Sequence, residues 1–435
     1  MATFFGTDGI RGIVNEDLSH SLVTMIGNAL AKSKDKAKIL IGRDTRISGS
    51  YITSSLTSGA LQGGANIVDV GIIPTAGISY LTNKLGYDYG IVISASHNPP
   101  QYNGIKIFNS NGRKLNEREE ENIEKLFVGN LVKDSLSVGS YTYSPNLTKI
   151  YINHLVSSCT KKLNNIKIVL DCGNGASFSI APKVFKKLGA KVIPLFCKND
   201  GKNINVKCGA LYTQVLKDKV LSSKADIGFA FDGDSDRLIA IDEKGNELNG
   251  DEIVYILANY LKKQNLLNNN TVVGTSLTNS GIVSSLKEKG ISFIKTDVGD
   301  KYIIEAMEEH NLNLGGEQSG HIIIKDIIPT GDGILSALFL TQCYIEENKP
   351  LSYLCDFKKF FQTCESIVVE DKHKVINNKT LIKKIKRISN AIGEEGRVLV
   401  RASGTEPKIR IMLEHQEKEI ATKYLNILVE TIKNI

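Results

Sequence analysis

The sequence is poor in the features that would send a chain to a membrane, to the cell exterior or to nucleic acid. Its seven cysteines are scattered and form no Cys-x-x-Cys pair. An odd, dispersed set of thiols argues against a disulfide framework or a structural zinc site and fits a reducing compartment. The opening residues, Met1 to Gly6, lack a basic region followed by a long apolar one, so no signal peptide is expected. The most apolar later stretch, Ile334 to Ile345, is short, is interrupted by Thr341 and Gln342, and reads as a buried helix rather than a membrane span. The net charge of +7 is mild, and lysine and arginine are spread along the chain instead of massed in runs. Nucleic-acid binding is therefore not indicated, and a slight preference for small anions is as far as charge goes. The expectation is a cytoplasmic protein with neither a membrane nor a nucleic acid as partner.

What is present is an ordinary globular composition, 41% hydrophobic and 23% charged, over 435 residues. That length is too great for one core and implies two to four domains. One plan recurs three times. Lys38 to Gly42 reads as a strand, followed by a polar loop (Arg43 to Gly49), a helix to about Gln62, Gly63-Gly64 and a strand from Ala65 to Val70. The second copy has a strand at Ile166 to Asp171, the loop Cys172-Gly173-Asn174-Gly175, a helix burying Ile180, Val184, Phe185 and Leu188, then Gly189 and a strand at Lys191 to Phe196. The third has a strand at Thr271 to Gly274, a loop to Ser280, a helix with Ile282, Val283 and Leu286, then Gly290 and a strand at Ile291 to Lys295. Each helix stops at glycine, the residue favoured beyond a helix end. Such wide spacing suggests three related α/β domains and not a solenoid, whose period is far shorter.

Chemistry concentrates in a few loops. Gly90 to Ile93 is a short apolar run, rich in β-branched residues, that reads as a buried strand. It breaks into Ser94-Ala95-Ser96-His97-Asn98-Pro99-Pro100, which places a serine and a histidine at the carboxyl end of a strand, where open α/β sheets bind ligands. A second buried strand, Ala225 to Phe231, ends in Asp232-Gly233-Asp234-Ser235-Asp236-Arg237. Carboxylates at alternate positions of an extended chain point the same way, and the glycine lets the loop curl around one cation. Hard oxygen ligands suit Mg²⁺ or Ca²⁺. Glu243 stands twelfth from Asp232, as in an EF-hand, but the sixth position is Arg237 instead of glycine, and the flanks are strand-like. A solvated acidic turn is the other reading of these residues. Arg401-Ala402-Ser403-Gly404-Thr405-Glu406-Pro407, with Arg410 beyond it, offers guanidinium forks, hydroxyls and glycine-freed amides, the makings of a phosphate cradle.

These motifs occur together in one known order. Phe5-Gly6-Thr7-Asp8-Gly9-Ile10-Arg11-Gly12, the serine loop with Tyr102 to Phe108 after it, the three-aspartate loop, Gly316-Glu317-Gln318-Ser319-Gly320-His321 and the final arginine loop resemble the α-D-phosphohexomutases over nearly the whole chain. The Gly404-Thr405-Glu406 variant of the last loop is similar to the glucosamine branch and unlike the mannose/glucose branch. The resemblance implies three related α/β domains with mixed sheets and a smaller C-terminal α+β domain around a central cleft. The boundaries expected here are 1–150, 151–250, 251–365 and 366–435. It also implies a phosphomutase that interconverts glucosamine 6-phosphate and glucosamine 1-phosphate, upstream of UDP-N-acetylglucosamine and the cell wall.

In that reading Ser96 becomes a phosphoserine that lends its phosphoryl group. Mg²⁺ is held by Asp232, Asp234, Asp236 and the phosphate on Ser96. His97, Lys106, Arg11 and Arg237 handle protons and charge, with no base singled out. Glu317, Ser319 and His321 meet the sugar, while Arg401, Ser403, Gly404, Thr405 and Arg410 hold the phosphate that is not reacting. The partner is a small phosphosugar, and a homodimer is the assembly entertained. Three readings remain beside it: a phosphomannomutase/phosphoglucomutase on the same scaffold, a non-catalytic sugar-phosphate-binding relative, and a phosphatase. The chain departs from the pattern at Lys301, where arginine is usual, and at Leu211-Tyr212, where a small polar pair is usual.

Overall fold

The computed structural model describes residues 4–6, 8–128, 137–403 and 407–435, with the backbone alone at 127, 128 and 394. It divides into two compact units, residues 1–277 with 291–355, and residues 278–290 with 356–435.

The larger unit carries three sheets. The first contains β1 (Ile10–Ile13), β2 (Lys38–Arg43), β3 (Asn66–Ile72), β4 (Tyr89–Ile93), β5 (Tyr102–Asn109) and β6 (Tyr141–Tyr143), in the order β1-β5-β4-β2-β3-β6. Its centre is parallel; β5 runs antiparallel to both β4 and β1, which makes the sheet mixed. The second contains β7 (Lys167–Asp171), β8 (Lys191–Leu195), β9 (Ile227–Phe231), β10 (Leu238–Ile241) and β11 (Glu247–Leu248), in the order β11-β10-β9-β7-β8. The third contains β12 (Thr271–Thr275), β13 (Ser292–Thr296), β14 (Leu314–Gly316) and β15 (Ile322–Ile324), in the order β13-β12-β14-β15. Buried strands such as β9, with all five residues in the core, are near-continuous apolar runs because helices cover both faces.

Helices His20–Lys32 and Gly49–Gln62 pack against each other in the first domain. Their approach depends on two glycines: a Cβ on Gly27 would lie 2.1 Å from the Leu56 carbonyl oxygen, and one on Gly59 would lie 1.9 Å from that of Thr24. The second of these helices follows directly on the loop that leaves β2, so its placement fixes that loop.

The smaller unit is an antiparallel sheet, β16 (Phe361–Val368), β17 (Gly396–Ala402) and β18 (Lys408–His415), in the order β16-β18-β17. Helices Lys379–Ile392 and Lys418–Lys433 bury Leu381, Ile388, Leu425 and Leu428 against it. The sequence predicts strands at Ser366 to Glu370 and Arg397 to Val400; the first begins five residues earlier, at Phe361, and β18 is an additional strand. Helix Ser280–Glu288 belongs to this unit although the strands on either side of it, β12 and β13, belong to the other. It is fastened there by Asn279, whose amide donates to Phe360 O at 2.9 Å, and by Glu414, which accepts from Ser280 N at 2.9 Å. A carboxylate at a helix N-terminus is favoured by the unpaired amides and the dipole. Among the described residues no helix is long and apolar enough to cross a membrane.

Replacing Gly59 by alanine is expected to force the two helices apart and cost about 1–3 kcal/mol, read as a lowered thermal midpoint. An unchanged midpoint would show that the helix pair yields without strain.

Candidate active site

The loop between β4 and β5 holds Ser96 fully buried, with φ of 51°. A non-glycine residue occupies that left-handed region at a cost of about 1–3 kcal/mol, so something around it must enforce the bend. Its N–H donates to Ser94 Oγ at 2.9 Å, and its carbonyl accepts from Asn205 Nδ2 at 2.9 Å. The bend turns Oγ toward the second sheet, where it donates to Asp232 Oδ2 at 2.6 Å; His97 Nδ1 lies 3.4 Å away.

Asp232 stands just past the end of β9, in the tight link to antiparallel β10. A Cβ on Gly233 would come within 2.5 Å of the Ser96 carbonyl oxygen, so glycine is what lets the acidic loop lie against the serine loop. Asp232, Asp234 and Asp236 are buried and offer one carboxylate oxygen each, all within 4.8 Å of one another. Asp234 Oδ2 accepts from Thr75 Oγ1 at 2.6 Å and from Lys106 Nζ at 2.7 Å, and Asp236 Oδ2 accepts from Lys106 at 3.0 Å. The Oδ1 atoms of Asp234 and Asp236 have no hydrogen-bond partner among the described residues. Buried acceptors without donors, in a cluster of hard oxygens, fit a divalent cation such as Mg²⁺.

The charges form a closed ring. Lys106, 1% exposed in the middle of β5, reaches Asp234, Asp236 and Asp8. Lys114 bridges Asp8 and Asp300, and Arg11 on β1 pairs with Asp8. His321 returns to the start, with Nε2 3.5 Å from Asp300 and Nδ1 3.7 Å from Asp236. Burial pushes the Asp232 carboxyl well above the usual range, and the neighbouring Asp236 and Asp234 add to this. Burial acts the same way on Asp236, but Lys106, His321 and Arg237 outweigh it and hold that carboxyl well below the range. Burial alone would lower the Lys106 pKa, yet the three carboxylates around it raise it. His97 is driven down to about 4, by burial first and then by Arg237 and Arg11.

The loop after β14 is a turn that brings Ser319 Oγ to 3.5 Å from Glu317 Oε2. Glu317 Oε1 accepts from Gly299 N at 3.0 Å. A backbone bridge between Arg237 and His321, with Leu238 N donating to Gly320 O at 2.9 Å, ties this loop to the acidic one. His321 itself is buried, with its ring between the carboxylates of Asp300 and Asp236. Lys301 points to the helix Glu117–Val128, with its ammonium 2.7 Å from Glu117. Leu211 and Tyr212 are exposed, and nothing around them explains the departure.

In the smaller unit, Arg401 and Arg410 stand directly opposite each other on β17 and β18. Paired residues of an antiparallel ladder share a face, where like charges repel unless an anion separates them. Ser403 is buried, its N–H donating to Lys408 O at 2.8 Å. Gly404 and Thr405 lie outside the described residues.

Sequence reasoning missed Asp8 as a charge partner, Thr75, Lys114, Asp300, Asn205 and the pair Asp44 and Arg46. The readable signal was position: the Asp44–Arg46 loop follows the carboxyl end of β2, beside the β4 end that carries Ser96.

Four family models cover this arrangement: phosphoglucomutase/phosphomannomutase α/β/α domains I, II and III match residues 2–131, 149–245 and 249–360, and the C-terminal domain matches 366–431. The chain belongs to the phosphoglucomutase/phosphomannomutase family, the α-D-phosphohexomutases. Within it, the phosphoglucosamine mutase of Clostridioides difficile is 43% identical over 99% of this chain and 100% of its own. That of Bacillus subtilis is 41% identical over 100% and 99%. Among solved structures, a phosphoglucomutase/phosphomannomutase family protein of Burkholderia thailandensis superposes with a TM-score of 0.84 at 24% identity, covering 100% of this chain and 98% of that one. The N-acetylphosphoglucosamine mutase of Aspergillus fumigatus does so at 0.72 and 16%, covering 100% and 96%.

Mg²⁺ at about a hundred times its dissociation constant is expected to stabilise the protein by about 2.7 kcal/mol, read as a raised thermal midpoint. Asp236→Asn should remove most of that rise, and a wild-type midpoint insensitive to Mg²⁺ would overturn the cage.

Proposed function

We propose that the protein is a phosphoglucosamine mutase, converting glucosamine 6-phosphate to glucosamine 1-phosphate through a phosphorylated Ser96. One observation carries the reading: Ser96 Oγ lies 2.6 Å from Asp232, so the bend that would lend a phosphoryl group and the cage that would hold its cation are a single site. In the first half-reaction the P–O bond to Ser96 breaks as one forms to the sugar's O1; O1 gives up its proton and the freed Ser96 Oγ takes one up. The 1,6-bisphosphate then turns around. Ser96 Oγ next attacks the phosphorus on O6, loses its proton as the P–O6 bond breaks, and O6 is reprotonated. Phosphoryl transfer of this kind needs positioning and neutralisation of spreading charge more than covalent help.

This chain's residues divide that work. Lys106, fixed among three carboxylates, and Arg11 and Arg237 beside them are the cations that meet the transferring group. Asp232, which accepts from Ser96 Oγ at 2.6 Å, and His97, whose ring nitrogen lies 3.4 Å away, are the groups placed to handle that hydroxyl's proton. Asp232, Asp234, Asp236 and the Ser96 phosphate would hold Mg²⁺, which when bound neutralises charge on the phosphoryl oxygens. Glu317, Ser319 and His321 meet the sugar in both orientations, His321 from its place beside Asp236 and Asp300. Arg401, Ser403, Gly404, Thr405 and Arg410 take the phosphate that is not reacting. Domains at 1–150, 151–250, 251–365 and 366–435 would each contribute one of these loops. The Aspergillus enzyme of the same fold was captured with GlcNAc-6P and magnesium, which supports a phosphosugar and this metal here. The setting that goes with this activity is cytoplasmic, as a homodimer with no nucleic-acid partner, supplying UDP-N-acetylglucosamine synthesis.

A coupled assay with glucosamine 6-phosphate is expected to show turnover well above that with glucose or mannose phosphates; the reverse order would assign the chain to the mannose/glucose branch. Ser96→Ala should abolish phosphate incorporation into the protein and nearly all turnover. Undiminished turnover in that variant would remove the mechanism.

A further inference from the structure

Arg46 is a fully buried arginine that the mechanism above does not use. It follows β2 in the loop leading to the helix Gly49–Gln62, with its side chain 0% exposed. Nε donates to Asp44 Oδ2 at 2.9 Å. One terminal nitrogen donates to the carbonyls of Pro99 at 2.5 Å and Tyr102 at 2.9 Å; the other donates to those of Ser96 and Asn98, both at 2.8 Å. A guanidinium has five N–H donors in a rigid fork, and here all five are used. Four of them grip one short segment, the loop that carries Ser96.

Asp44 completes the clamp. Its second oxygen accepts from the Arg46 backbone N–H at 2.9 Å, and Oδ2 also accepts from Ser94 Oγ at 2.6 Å. Ser94 Oγ in turn receives the Ser96 N–H. Both backbone polar groups of Ser96 are thus held by one buried ion pair, the carbonyl directly and the amide through a hydroxyl. From the second domain, Asn205 Nδ2 adds bonds to the same Ser96 and Asn98 carbonyls, at 2.9 and 3.1 Å. This is the device that enforces the left-handed bend.

We infer that Arg46, seated by Asp44, is a positioning residue for phosphoryl transfer: it fixes the serine loop so that Oγ occupies one place whether it is giving or receiving the group. The inference rests on the mutase reading for its kinetic consequence and on the geometry alone for its structural one. Lysine at this position keeps the charge but has three donors and no fork, so it cannot reach four carbonyls around a corner. A displacement of about 1 Å at a reacting centre costs on the order of a hundredfold in rate. Because the clamp touches backbone and no substrate, the loss falls on kcat, with KM for the sugar phosphate unchanged within about twofold. It falls equally on the transfer from phosphorylated Ser96 and on the return transfer to it, since both use one Oγ position.

The test compares wild type, Arg46→Lys and Asp44→Asn as full-length proteins. Single-turnover rates in both directions and KM are measured per folded molecule, and amide hydrogen exchange is followed across residues 94–102. The expected result is a fall in both single-turnover rates by on the order of a hundredfold, an unchanged KM, and faster exchange confined to 94–102, with Asp44→Asn the milder variant. A variant with wild-type rates, or a raised KM at unchanged kcat, overturns the inference. So does a rate loss without any change in loop exchange. Wild-type protein inactive on every hexose phosphate would instead sink the mutase reading; loop exchange in Arg46→Lys would still decide for or against the clamp. If Arg46→Lys does not fold, Asp44→Asn carries the same comparisons.

Discussion

Three carboxylates confined within a few ångströms in the protein interior are the constraint that the rest of the larger unit answers. Left alone they would repel strongly, and burial would neutralise one or more by protonation. The structure meets the cost in two ways. One ammonium, Lys106, is driven through the middle of a buried strand to reach two of the three acids. Beyond it the groups run through Asp8, Lys114, Asp300 and His321, so that Asp234, Asp236, Asp8 and Asp300 each lie beside an ammonium or an imidazole. Among the described residues two of these carboxylate oxygens have no donor, and that remaining demand is what suits the cluster to a divalent cation.

The same ring explains why the three α/β domains behave as one compact unit. Lys106, Asp8 and Lys114 come from the first, Asp236 from the second, and Asp300 and His321 from the third. Removing one member leaves a buried charge uncompensated, which costs far more than losing an exposed pair. The site is therefore also the joint among the domains.

Much of this was legible in the sequence, for identifiable reasons. The recurring strand–loop–helix–strand plan was visible because buried strands are apolar runs and helices stop at glycine. Ser96 and the aspartates stood out because their loops interrupt such runs with small and charged residues. Lys106 could be named from the family pattern, but not its burial, because a lysine on a strand carries no sign of which face it occupies. Lys114, Asp300 and Arg46 were invisible for a deeper reason. Their partners lie 56 to 186 residues away at the farthest bond each makes, between loops that only the tertiary fold brings together. In the last domain, β18 follows directly on the arginine loop, and the polar residues of that loop masked where the strand began.

The helix Ser280–Glu288 has a consequence of a different kind. Because it is borrowed by the C-terminal unit, the polypeptide passes between the two bodies three times, after residues 277, 290 and 355. The last eighty residues are therefore not a detachable module. Cut off at 355, they would leave Glu414, whose side chain is wholly buried, without the amide of Ser280. A fragment starting at 356 would also lose the Asn279 amide that holds the Phe360 carbonyl.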